Sequence, residues 1–214
     1  MRHLRKTSIR SGIIATSLLI GTLPHVAYAA PVAAPLHCTI DAGRFGKTVQ
    51  DTHTTFDVSL PEKVTAVETF VAKFKLSDVT IHNDTLKKIG SIKMEKSAIN
   101  LHVGDNVQLA EPQPGLTISN GILTISDKLT AALHRDTLTA SAPELNIKLR
   151  ATGGNSVVFA TTKEVTTGTV RARVFIFSAT AHSSCTTTPD VQLASATVVP
   201  GKTTANNETT LPEE

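Results

Sequence analysis

Between Phe70 and Val103 apolar side chains recur at every second position, and that period confines the chain to strands. Phe70, Ala72, Phe74 and Leu76 alternate with Val71, Lys73, Lys75 and Ser77. Ile92, Met94, Lys96 and Ala98 then alternate with Lys93, Glu95, Ser97 and Ile99, and Leu101 and Val103 continue the run. Successive side chains of a strand point to opposite faces, whereas a helix would return its apolar residues about every 3.6 positions. Further strands are expected at residues 54–60, 116–118, 122–125, 145–149, 157–161, 170–177 and 191–199. Turn residues punctuate them at Pro61, Gly104-Asp105-Asn106, Pro112 to Gly115, Pro143, Gly153-Gly154-Asn155 and Pro189. Asn120-Gly121 is the strongest hairpin signal, since a type I′ turn needs positive φ at both central residues. Two stretches carry helix signals: Asn83-Asp84-Thr85 ahead of residues 86–90, and Ser126-Asp127 ahead of residues 128–133. Neither is long enough to form a layer. The expected fold is all-β, an antiparallel β-sandwich of immunoglobulin-like or related Greek-key type with one or two short helices. The tryptophan and tyrosine corner of antibody domains are missing.

The first 29 residues have the layout of a secretory signal peptide. Arg2, Arg5, Lys6 and Arg10 form a basic start, Gly12 to Leu23 an apolar stretch, and Ala27-Tyr28-Ala29 a small-residue cleavage site. The apolar stretch is too short to span a bilayer, which takes about 20 helical residues, and no later segment is longer. The expected organisation is a signal peptide over residues 1–29, a short lead at 30–36, the β-sandwich domain at 37–199 and a disordered polar tail at 200–214. Cleavage would leave 214 − 29 = 185 residues, enough for one domain with a sizeable core. It would also lower Lys plus Arg from 21 to 21 − 4 = 17 against 18 acidic residues, a net charge of 17 − 18 = −1. A polyanion-binding argument from overall charge therefore fails. Aromatic residues make up 4% of the chain, with no Trp and one Tyr, so stacking surfaces for bases have little to be built from and no nucleic-acid partner is expected.

Cys38 and Cys185 are the only cysteines and stand near the two ends of the domain. In an oxidising compartment they are expected to pair, clasping the first strand to the last. Two buried thiols or two metal ligands are the other arrangements open to them, although ligation would need close-spaced partners.

Catalytic patterns are missing. There is no G-x-S-x-G elbow, no S-x-x-K set and no H-E-x-x-H. His182 beside Ser183 and Ser184 does not make a dyad, because strand neighbours face opposite ways. Beyond the signal remain His37, His53, His82, His102, His134 and His182. None shows the spacing of a helix-borne zinc site, though residues distant in sequence can converge across a sandwich on copper, zinc or haem. No catalytic residue, metal or cofactor is expected. Lys73, Lys75, Lys93 and Lys96 offer a basic stripe for an anionic envelope component, or serve to keep exposed strands from pairing with other chains.

Cys38-Thr39-Ile40, the block from His82 to Ile92 with its Leu86-x-x-Ile89-Gly90 turn, Pro114 to Ile118, and the closing Cys185-Thr186 with Val191 to Ala194 together resemble a family of secreted actinobacterial β-domains of unknown function. The resemblance spans roughly residues 38–199 and implies an envelope or extracellular domain with one disulfide and no assigned catalytic residues. The expected role is non-enzymatic: a secreted or envelope-associated module that binds an envelope polymer, a lipid or a protein. A histidine-based metal or small-ligand binder is the alternative, and a cryptic hydrolase the third reading. Oligomeric state is left open.

Overall fold

The computed structural model describes residues 26–28, 30–174 and 177–201. Most of the signal stretch and the tail beyond Gly201 therefore lie outside the described residues. The first eight strands are β1 Val26–Tyr28, β2 Val32–Asp41, β3 Lys47–Pro61, β4 Lys63–Thr65, β5 Thr69–Leu76, β6 Val79–His82, β7 Ser91–His102 and β8 Val107–Leu109. The remaining eight are β9 Leu116–Ser119, β10 Ile122–Ser126, β11 Thr130–His134, β12 Thr137–Ser141, β13 Leu145–Ala151, β14 Ser156–Val174, β15 Phe177–Thr186 and β16 Gln192–Val199. Two short 3-10 turns, Gly43–Phe45 and Asp84–Lys88, are the helical elements among the described residues.

The protein is nearly all β and its pairings are antiparallel except β16 with β4. Thirteen strands form one sheet along the path β8-β13-β5-β3-β2-β15-β14-β7-β10-β9, with β1 beside β3, and β16 beside β14 and β4. The sheet folds over on itself. Phe74, Ile147 and Leu149 from one end of the path share a single core with Ile99, Leu123 and Ile125 from the other, around Phe56 and Phe159. Burying each of these side chains is worth about 1.5–3 kcal/mol, which makes the folded-over arrangement the stable one. The path has more strands than the roughly seven to nine of an immunoglobulin domain. β5 shows the expected alternation without fault, with Phe70, Ala72, Phe74 and Leu76 buried and Lys73 and Lys75 exposed.

At the β9–β10 hairpin Asn120 and Gly121 both have positive φ, 50° and 70°. A Cβ on Gly121 would stand 2.9 Å from Asp105 Oδ1 and 3.2 Å from the Gly104 carbonyl carbon. Space as well as conformation therefore requires glycine there.

Three expectations need correction. The lead at 30–36 is largely strand: β2 begins at Val32, pairs with β3 from Phe56 onward, and buries Ala34 and Leu36. Pro35 is tolerated because β15 reaches only as far as His37, which leaves this part of β2 an edge. The helix expected at 128–133 is instead β11, paired residue for residue with β12. Asp127, at φ 56°, caps no helix. Its backbone N–H donates to the Ser97 carbonyl and its Oδ1 accepts from the Ser97 N–H, so the cap-like sequence turns the chain onto β7. Finally, the alternation along β7 changes phase: a bulge falls where Lys96 faces Thr169 and Met94 faces Val170. Glu95 and Lys96 both end up exposed, and Ser97, Ile99 and Leu101 become the buried set.

Candidate functional site

β6, β12 and β11 form a separate three-stranded sheet. One edge is tied to β3, where the Thr52 and Thr54 hydroxyls donate to the carbonyls of Thr80 and Ser77. The other edge is tied to β7, where the Leu129 N–H donates to Ser97 Oγ at 3.2 Å beside the Asp127 contacts. Between β3 and β7 the main sheet runs β3-β2-β15-β14-β7, so five strands of floor and three of roof make a ring of eight. A ring of about eight strands encloses an interior that side chains can fill or that can hold one small ligand.

Here the interior is not filled. The floor presents small side chains, Gly168 and Ala172 on β14 and Ala181 and Ser183 on β15, together with the disulfide. A Cβ on Gly168 would already lie 3.0 Å from Ser183 Oγ and 3.3 Å from Met94 Sδ. Val79, Ile81, Leu138 and Ala140 line the roof, and Leu86, Ile89, Ile92 and Met94 complete the wall. What remains is a largely enclosed chamber of about 130 Å³ with an almost wholly apolar lining. A dry cavity of about 150 Å³ takes up a benzene molecule. A second space of about 320 Å³ shares Ile40, Ile81, Leu86, Ile89, Ala172 and Ala181 with the first. The two adjoin through these residues, and the second is also lined by Ala42, Gly46 and Thr48 at the β2–β3 end and by Lys88 on the Asp84–Lys88 turn.

The turn that carries Lys88 also carries a cluster of paired charges. Lys87 is bound by Asp84 and lies 3.7 Å from Asp136. The hydrogen bond and charge of Asp84 raise the Lys87 ammonium above its ordinary value. Asp136 is held below the usual carboxylate value chiefly by its own backbone N–H, with the Thr137 hydroxyl and Lys87 adding to the effect against partial desolvation. Those acids are engaged with Lys87. Lys88, by contrast, faces the opening without an ion pair among the described residues.

Cys38 and Cys185 are disulfide-bonded, with S–S 2.06 Å and Cα–Cα 4.0 Å. They stand directly opposite one another on neighbouring strands β2 and β15. The bridge therefore fastens adjacent floor strands, while the last strand, β16, lies against β14 and β4.

The four lysines of the expected stripe do not form one patch. Lys73 and Lys75 sit on β5 opposite Ser59 and Asp57. Lys93 and Lys96 sit on β7 opposite Arg171 and Thr169, with Arg171 paired to Glu95. Four strands separate β5 from β7, about 24 Å along the sheet at a spacing near 4.8 Å. The histidines are scattered too: His37 bonds Asp51 at 2.7 Å, His82 bonds Thr137, and His182 bonds Thr169. Among the described residues no three His, Cys, Asp or Glu side chains are grouped to hold a metal ion. No helix among them is long and apolar enough to cross a membrane. Sequence reasoning missed the chamber. Its trace was the recurrence of small residues on one face of each strand, Gly168 and Ala172 on either side of Val170 on β14, and Ala179, Ala181 and Ser183 at alternate positions on β15.

Fold and site together define a class: a disulfide-fastened β-domain that closes a second small sheet over an apolar chamber. Within it, the chain belongs to the DIP2116-like N-terminal domain family, which matches residues 35–197. A crystal structure from Corynebacterium diphtheriae, described as a "putative membrane anchored protein", is 32% identical and superposes with a TM-score of 0.76. The match covers 80% of this chain and 38% of that one, so the chain spans well under half the length of its relative. No curated protein matches the chain.

Proposed function

We propose that this domain works outside the cytoplasm, associated with the cell envelope, and acts by binding a small apolar ligand rather than by catalysis. The observation that carries this reading is the chamber itself, an eight-strand ring left unfilled by small floor residues and adjoined by a second space. Unfilled core volume is costly, about 24 cal/mol per Å³ when created by truncation, and occupancy by a ligand offsets that cost. The lining offers no carboxylate, imidazole or free thiol to act as acid, base or nucleophile. The disulfide fits an oxidising compartment, and the relative's description as membrane-anchored supports an envelope setting.

Titration with a neutral apolar dye such as N-phenyl-1-naphthylamine tests the binding reading. The expected result is saturable one-to-one binding that Ala181→Leu abolishes while the protein still melts cooperatively. Absence of saturable binding by the unaltered protein to this dye and to linear alcohols would overturn it.

A further inference from the structure

From the charge at its opening we infer that the chamber takes a single-chain anionic amphiphile, with the hydrocarbon tail inside and the acidic head at Lys88. This rests on the reading of the chamber as a ligand site and names the ligand's chemistry.

The interior is fit for hydrocarbon only. Of the polar groups on its wall, the Ser183 hydroxyl already donates to the Gly168 carbonyl, and a polar head carried inward would lose its water without partners. The head must stay at the opening. Of the residues lining either space, Lys88 alone is charged. Lys88 lines the mouth, is exposed and makes no ion pair among the described residues, whereas Lys47 and Arg173, next to the lining residues Thr48 and Ala172 on their strands, face the other way. Asp84 and Asp136 flank Lys87, and Asp41 accepts from the Gly43 N–H; none of the three lines the opening. A ligand with an anionic end is therefore the complement of Lys88.

The dimensions select one chain. The inner chamber, at about 130 Å³, compares with a cavity that accepts the six carbons of benzene, roughly, so two acyl tails cannot lie side by side in it. The outer space of about 320 Å³ receives the rest of a medium-length tail.

The test is a calorimetric series of linear carboxylates from six to fourteen carbons, each below its micelle concentration, beside alcohols, alkyl phosphates and alkyltrimethylammonium ions of matched length. Affinity should rise about four-fold per added methylene until the chamber is full and then level off. Ala181→Leu, checked for an intact melt, should move the plateau to shorter chains. Carboxylate and phosphate should bind more tightly than the alcohol, and the ammonium ion least. Lys88→Gln, a change at an exposed position, should weaken the anions about two- to five-fold and leave the alcohol unchanged. A stronger response of phosphate than of carboxylate to Lys88→Gln would identify a monoacyl phosphate as the source of the head, and the reverse a fatty acid. If alcohols bind as tightly as anions and Lys88→Gln is silent, the headgroup inference is wrong while the chamber reading stands. If no series shows saturable binding, both fall.

Discussion

Removing the disulfide is the perturbation whose size the structure sets most directly. Cys38 and Cys185 are 147 residues apart in sequence, and closing a loop of that length removes about 5 kcal/mol of denatured-state entropy in the chain-entropy model. The native state should survive the loss. β2 and β15 keep their five-residue pairing, and the hydroxyls of Thr186 and Thr187 still donate to the carbonyls of His37 and Pro35 across the same strands. The effect therefore falls mainly on the unfolded chain. For a domain of this size about 2–4 °C is lost per kcal/mol, so Cys38→Ala/Cys185→Ala should melt about 10–20 °C below the oxidised protein. Reduction of the wild type should give nearly the same shift, because both treatments open the same loop and only the alanine pair also removes two buried sulfurs. Differential scanning calorimetry of the three forms decides it. A drop under about 3 °C in both would refute the reasoning and show that the unfolded chain is already constrained without the bridge.

Deleting residues 30–36 should lower the melting temperature by several degrees, since it removes the buried Ala34 and Leu36 and half of the β2–β3 ladder; an unchanged melt would show that this strand adds nothing. The cluster of Lys87, Asp84 and Asp136 should hold the turn at the opening only within a pH window. Asp136, depressed below 3.8, adds stability above that value that is lost as pH falls through its folded value, and Lys87, raised above 10.5, adds stability that is lost only as pH rises beyond 10.5. Amide exchange at residues 84–90, corrected for the intrinsic pH dependence, should therefore be faster at pH 3 than at pH 6, while that of β10 should not change. Replacing Lys73, Lys75, Lys93 and Lys96 by glutamine should shift the melt by no more than a degree or two. If these lysines contact an anionic envelope polymer, the β5 pair and the β7 pair should weaken salt-sensitive envelope binding independently, because they lie on separate parts of the sheet; unaltered binding leaves them as residues that keep strand surfaces soluble.

Much of the fold was legible locally. Period-two patterning located β5, β9, β10, β13 and β16, because alternation depends only on a strand having one wet and one buried face. Asn120-Gly121 announced its hairpin through backbone sterics, and the two cysteines announced their bond through the compartment implied by the leading residues. What lay beyond local reading depended on partners distant in sequence. Val32 to Leu36 reads as an Ala/Pro linker until β3 pairs with it, and Ser126-Asp127 reads as a helix cap until Ser97 takes up its hydrogen-bonding groups. The lysines looked like one stripe because their order along the chain conceals the four strands inserted between them. The chamber was the least legible feature of all. Alternation states which side chains face inward, but whether they meet or leave a void depends on the distance between β14 and β15 below and β6 and β12 above. That distance is set by hydrogen bonds at the two seams, from Thr52 and Thr54 on β3 and from Ser97 on β7, and only the folded chain brings those residues to their partners.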